Sequence, residues 1–463
     1  VSRHAGPLIH RPLPQAVAIL AVPVLVEQLL NLSVGLFDTY LTGRYLPADY
    51  LAAIGLMSYL LWGISSILGG VSIGTTAVVS RLAGANRLVT ANRAANQSLG
   101  IALVVGLGLW LILARIGPAL VASLQLRGAA GQAAEEYLRW MLPILPLMAI
   151  GQVGMAAWRG LGNTLTGLGI MLIVNVVNVL VSVALVTGWG GLPVWGWQGL
   201  VVGTATGYAV SGLLVLGLWG IGHSRLRLQV GWLWPRRRWM ARIFSVGLPA
   251  GMDMFATVAC HLWFLGIINS LGTLAAAAHA VAVRVESLAY TPCTAFQAAA
   301  ATLAGQSLGA RQPQRGLRAV GLTCLAAVVT LAAVGLLFAG WAEPLVGLFL
   351  SPENQQPLQP AAELLRLVAW FLPMLAVANV LASGLRGAGD ARGPLAITFI
   401  CFLGIRIPLT YLLAPSTDTL WLGLPIACWG WGVLGAWWAM GVDLTLRAVL
   451  VSWRFAVGPW RRV

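Results

Sequence analysis

Stretches of about twenty or more apolar residues recur along this chain from end to end, and no polar stretch between them is long enough to build a soluble domain. Some 20 residues at ~1.5 Å each cross the ~30 Å hydrocarbon core of a bilayer. Lipid offers backbone N–H and C=O groups no partner, so such segments satisfy them internally, as helices. About twelve spans can be read, near 15–41, 51–80, 96–118, 136–158, 166–187, 196–221, 243–269, 275–305, 317–342, 361–385, 395–413 and 426–453. The first is too long for the apolar core of a cleaved signal peptide and is expected to stay as a helix. Composition agrees: 9% of residues are charged, against roughly a quarter in soluble proteins.

The net charge of +15 raises the question of nucleic acid, and its placement answers it. All 28 basic residues are arginine, and they gather in alternate connections. Arg81, Arg87 and Arg93 form one group, Arg225, Arg227, Arg236, Arg237, Arg238 and Arg242 a second, and Arg311, Arg315 and Arg318 a third. Arg386 with Arg392, and Arg454 with Arg461 and Arg462, complete the series. The connections between hold few, such as Arg44, Arg115 and Arg127. This is the positive-inside pattern of a multi-pass membrane protein with both termini cytoplasmic. The basic excess faces anionic lipid headgroups, not nucleic acid.

No catalytic, metal or cofactor motif stands out. The five cysteines lie in apolar segments without metal-ligand spacing and read as small core residues. The five histidines have no metal spacing either. GQSLG (305–309) matches a nucleophile elbow in letters only, since the elbow needs a strand–turn–helix and this segment ends a membrane helix.

The two halves repeat. Pro23 matches Pro249 and Glu27 matches Asp253, 226 residues on. RLAGANR (81–87) parallels QSLGARQ (306–312), and RGLGNT (159–164) parallels RGAGDA (386–391), at nearly the same offset. Six spans return the chain to its starting side, so the halves are parallel repeats, a transporter architecture. The expected organisation is an N-lobe over 1–222, a cytoplasmic linker over 223–242 and a C-lobe over 243–463, a fold that is all α.

Five of the thirteen acidic residues fall well inside spans, away from their ends: Glu27, Asp38, Asp253, Glu286 and Asp443. Each costs ~2.5–3.5 kcal/mol at the bilayer centre on insertion scales, so such groups face protein or a wet cavity. Glu27, Asn31, Gly35, Asp38 and Thr42 are spaced to share one face of the first helix. Pro23 precedes them and marks a hinge. Asn175, Asn178 and Ser182 share a face in span five, as do Thr204, Tyr208 and Ser211 in span six. A carboxylate with amide and hydroxyl oxygens suits a small hard cation; the carboxylate alone suits a proton. Asp38, Asn178, Thr204, Ser182, Asn175 and Glu27 are therefore the candidate cation-coupling residues, with Asn31 and Tyr208 as further cavity lining. In the second half Asp253, Thr257 and His261 form a stripe that could line the cavity. Arg284 with Glu286, and Arg406 with Asp443 and Arg447, read as buried ion pairs that fix packing.

DTYLTGRYL after Pro23, RGLGNT, RGAGDA, AAAAHAVAVRVESLAY and TLAGQSLGA together resemble the multidrug and toxic compound extrusion (MATE) family, in its DinF-like bacterial branch, over about residues 13–455. The resemblance implies a monomeric, multi-pass antiporter of the bacterial inner membrane that needs no cofactor. It would export small organic, often cationic, compounds as H⁺ or Na⁺ enters. It puts Asp38 at the family's acidic position in helix one, and Asn178 and Thr204 in its N-lobe cation pocket. It also exposes departures. Ser182 stands where that pocket usually has an acidic residue, and Thr257 where the NorM-like branch has a glutamate; Asp253, four residues after its proline, fits the DinF-like pattern. A flippase for lipid-linked saccharides is the nearest alternative, and an intramembrane enzyme a remote one.

Overall fold

The computed structural model describes residues 8–47, 49–123, 128–350, 355–415, 419–421, 424–426, 428–458 and 460. The first half is built from α1 (Leu13–Tyr45), α2 (Asp49–Gly84), α3 (Leu88–Ser123), α4 (Ala129–Met141), α5 (Leu145–Leu161), α6 (Leu165–Thr187) and α7 (Trp197–Gly220). The short α8 (Val230–Leu233) follows in the connection. The second half comprises α9 (Arg237–Ser270), α10 (Thr273–Gly309), α11 (Pro313–Gly340), α12 (Ala342–Gly347), α13 (Leu358–Ala369), α14 (Leu372–Gly387), α15 (Arg392–Cys401), α16 (Ile407–Leu413) and α17 (Gly432–Val457). A π-helical turn, Phe402–Arg406, joins α15 to α16. A two-stranded hairpin, β1 (Thr419–Trp421) and β2 (Leu424–Ile426), precedes α17.

Among the described residues ten helices are long and apolar enough to cross a membrane, counting α4–α5 as one span and α15–α16 as another. They are eleven if α13 and α14, bent by 52° at their junction, make one span. The remaining expected span is α10, which has the length, 37 residues, but carries Arg284, Glu286 and several hydroxyls among its alanines.

The connection after α7 packs on the first half. Its backbone is held by the polar stretch of α3: Arg227 N–H donates to Asn92 Oδ1 (3.0 Å), Gln229 N–H to Asn96 Oδ1 (2.9 Å) and Arg236 N–H to Gln97 Oε1 (2.7 Å). Buried amides thus supply acceptors to a segment without helical partners of its own. Helix α9 already begins at Arg237.

The repeated motifs are packing devices. At RGLG and RGAG, Gly162 (φ 86°) and Gly389 (φ 95°) end α5 and α14 in the left-handed conformation that glycine adopts without strain. The amides that follow turn back to close the helix ends, Asn163 N–H to Trp158 O (3.0 Å) and Asp390 N–H to Leu385 O (2.9 Å). The next helices are capped from the same motif, by Asn163 Oδ1 on Thr166 N–H (3.3 Å) and Asp390 Oδ1 on Gly393 N–H (3.1 Å). At RLAG and QSLG, a Cβ on Gly84 would lie 2.0 Å from Gln306 O, and one on Gly309 2.0 Å from Arg81 O. These two motifs therefore cross at backbone contact, the use of small residues expected where helices meet in lipid.

The chain resolves into two compact units. One holds Val22–Gly251 with Gly305–Arg311 and the described residues up to His10; the other holds Arg11–Ala21, Met252–Ala304 and Gln312–Val463. The first unit is packed around fully buried Trp158 and Trp219, whose rings meet edge to face at 6.0 Å.

Candidate functional site

The polar face of α1 is not a uniform stripe. Glu27 and Asp38 are 4% and 6% exposed and Thr42 is buried, whereas Asn31 and Gly35 are exposed. Thr42 Oγ1 donates to Asp38 O (2.8 Å), so it completes the helix and is not a site oxygen.

Asp38 meets residues of spans five and six. Thr204 Oγ1 on α7 donates to Asp38 Oδ2 at 2.7 Å, and Asn178 Nδ2 on α6 donates to Thr204 Oγ1 at 3.4 Å. The chain of donors runs amide to hydroxyl to carboxylate. The charge of Asp38 also bears on Tyr208 of α7 and Tyr137 of α4. Ser182 lies one turn beyond Asn178 and is fully buried, its Oγ where a Cβ on Gly203 would sit. Asp38 Oδ1, Asn178 Oδ1 and Ser182 Oγ are buried and have no hydrogen-bond partner among the described residues. Asn175 is spent on structure: its amide donates to Met171 O (3.0 Å) and its Oδ1 accepts from Ser33 Oγ on α1 (2.8 Å). The cluster is thus a single carboxylate beside amide and hydroxyl oxygens, with one buried acceptor left on α1 and two on α6. Such a set can take a proton or a small hard cation.

Glu27 stands apart from it. Its Oε1 pairs with Arg159 Nη1 of α5 at 2.9 Å, and its Oε2 lies beside Gly167 of α6. The second half repeats the arrangement: Asp253 on α9 pairs with Arg386 of α14. Both pairs join the carboxylate four residues after a helix proline to the arginine of an RGxG motif. Sequence reasoning singled out both motifs and both carboxylates but did not join them, and missed Arg159 and Arg386 as their partners. The signal was present in the shared offset. Thr257 Oγ1 donates to Asp253 O (2.9 Å), and His261 Nδ1 lies 2.8 Å from Thr257 O, so the predicted stripe is tied along its own helix.

Of the expected second-half ion pairs, Arg447 Nη2 lies 2.7 Å and Arg406 Nη1 3.9 Å from Asp443 Oδ2. The pairing of Arg284 with Glu286 is corrected. Two residues apart on a helix they point about 200° apart; Arg284 is exposed, Glu286 is buried, and among the described residues no ion pair joins them. Helix α1 runs unbroken through Pro23. A separate cavity of about 930 Å³ in the first unit is lined by Trp110, Glu135, Glu136, Arg139 and Gln198 among others, and none of the Asp38 cluster.

A family model, MatE, matches this chain twice, over residues 23–184 and 249–412, and the two matches start at Pro23 and Pro249. The chain belongs to the MatE family. It is accordingly a multi-pass membrane transporter that carries the family's repeat twice, not an enzyme. Among its relatives in the MatE family, the probable multidrug resistance protein NorM of Aromatoleum aromaticum is 30% identical, over 94% of this chain and 92% of that protein. A probable NorM of Thermotoga maritima is 25% identical, over 96% and 92%. Multidrug resistance protein PmpM of Pseudomonas aeruginosa is 27% identical, over 94% and 90%. The fold matches that of a solved multidrug resistance MATE family transporter of the MOP superfamily in its outward-facing conformation, at TM-score 0.89, 19% identity and 98% of both chains.

Proposed function

We propose that this protein is a cation-coupled antiporter of the bacterial inner membrane that exports small organic, often cationic, compounds. It works as a monomer with both termini cytoplasmic. The observation that carries the reading is Asp38: a carboxylate buried in a membrane helix, holding one hydrogen bond from Thr204 and an oxygen with no partner among the described residues. Relatives named for multidrug resistance along nearly the whole chain support the export of drugs.

In this mechanism an entering cation, H⁺ or Na⁺, neutralises Asp38. The lost charge releases the demand for the Thr204 hydroxyl, α1 bends near Pro23, and the first half changes shape so that the compound leaves outside. In support, the boundary between the compact units falls between Ala21 and Val22 in α1 and between Gly251 and Met252 in α9, within two residues of Pro23 and Pro249. A proline lacks the amide that would tie it to the preceding turn, which makes these the weakest points of the two helices. The cycle is alternating access, and it needs cation and drug to bind the two states differently. One pH unit supplies ~1.4 kcal/mol per proton, and 100 mV adds ~2.3 kcal/mol per charge.

The test is ethidium transport by purified protein in proteoliposomes under an imposed ΔpH and, separately, an imposed Na⁺ gradient. One gradient drives dye against its own gradient, and that gradient names the coupling ion. If neither moves any of several organic cations, the drug-export reading fails and lipid-linked saccharides become the substrates to test.

A further inference from the structure

The second unit holds a polar cluster that coupling through Asp38 does not use. Arg406 sits in the π-helical turn Phe402–Arg406 and is 3% exposed. Its Nη1 is 3.9 Å from Asp443 Oδ2, a loose contact, because Arg447 takes the same oxygen at 2.7 Å. Arg406 Nε and Nη2 have no hydrogen-bond partner among the described residues, nor has Arg447 Nε. A guanidinium that is buried and left with free donors costs far more than one that meets an acceptor. Single π-turns inside helices concentrate at functional sites, and this one sets the arginine. The charge of Arg406 bears on His261 of α9 and on His279, Glu286 and Tyr290 of α10. Glu286 is buried, while both histidines and Tyr290 are half-buried.

The aromatic rings of the cluster are already taken. Arg406 lies 4.7 Å from the ring centre of Phe264, and Arg447 4.4 Å from that of Phe402. An organic cation would have to displace an arginine to stack there. What the site lacks is a planar acceptor for a guanidinium fork, and a carboxylate has that geometry.

We propose that the Arg406 cluster is a binding site for the carboxylate of an organic substrate. The buried Glu286, whose Oε1 also has no partner among the described residues, stands ready for an amine or amide of the same molecule. The preferred substrates are then amphiphilic acids and zwitterions, not cations alone. That these ligands are cargo rests on the export reading above; that they bind does not.

The two are separated by measuring binding at equilibrium with no ion gradient. The probes are a rhodamine with a free carboxylate and its methyl ester, titrated by fluorescence polarisation against the full-length protein in nanodiscs. Wild type is expected to bind the acid about tenfold more tightly than the ester, the size of one charge-assisted contact. Arg406→Gln lowers acid affinity to the level of the ester, and a single elution peak of the variant in nanodiscs with a wild-type-like melting transition reports that it is folded. Arg406→Lys keeps the charge without the fork and retains only part of the preference. Equal binding of acid and ester by wild type, or equal weakening of both by Arg406→Gln, overturns the proposal. Failed gradient-driven transport with the acid preference intact would sink the export reading and spare this one.

Discussion

Asp38 commits a membrane-buried carboxylate to one hydroxyl, and that hydroxyl to one amide. Thr204→Val removes the hydroxyl at constant shape and takes from Asp38 its 2.7 Å hydrogen bond. A hydrogen bond to a charged group is worth about 1.5–3 kcal/mol. The half-saturating concentration of the coupling ion in dye transport should therefore shift about tenfold or more; an unchanged value would remove Thr204 from the site. At Glu27 the expected effect is on stability. Arg159→Ala leaves a buried charge uncompensated, and breaking such a pair costs about 3–5 kcal/mol. Glu27→Gln should cost less, and Glu27→Gln with Arg159→Ala should recover part of the loss. Thermal unfolding of the four proteins in detergent checks this, and strict additivity would mean that the pair does not couple.

Helical periodicity made α1 legible as the carrier of two carboxylates, and the spacing in α6 and α7 made Asn178, Ser182, Thr204 and Tyr208 legible as faces. It did not tell buried from exposed along α1, because one face at 100° per residue can still pass between neighbours and open space: Asn31 and Gly35 lie exposed between buried Glu27 and Asp38. Nor did it tie Arg159 to Glu27, a contact between residues 132 apart in the chain. Only the two halves read together hold that information. RGxG was visible as a repeat, but its glycine roles rest on φ values and close approaches that letters do not carry. Gly162→Ala at φ 86° should destabilise the end of α5 by about 1–2 kcal/mol. A lowered melting temperature with normal dye affinity is the expected reading. Pro23→Ala restores a hydrogen bond that α1 lacks there. It should slow transport while leaving dye binding intact; an unaltered rate would argue against a hinge at that point.

At the scale of the molecule, the duplicated fold follows from the sequence because repeat offset, span count and arginine placement all point the same way. The orientation proposed from the arginine clusters is open to direct measurement. Four of the five native cysteines are buried and Cys428 is intermediate, so background labelling should be low. A cysteine placed at Arg311 should react with an impermeant maleimide only from the cytoplasmic side, and one at Trp195 only from outside. The reverse pattern would invert the topology and, with it, the direction of transport.

The central claim is that the charge on Asp38 links ion entry to drug exit. Its most direct test is Asp38→Asn in proteoliposomes, with ethidium transport and equilibrium ethidium binding measured on the same preparation. The account predicts that the variant binds dye, equilibrates it down its own gradient, and no longer moves it uphill under the gradient that drives wild type. Uphill transport by Asp38→Asn at the wild-type rate would contradict it.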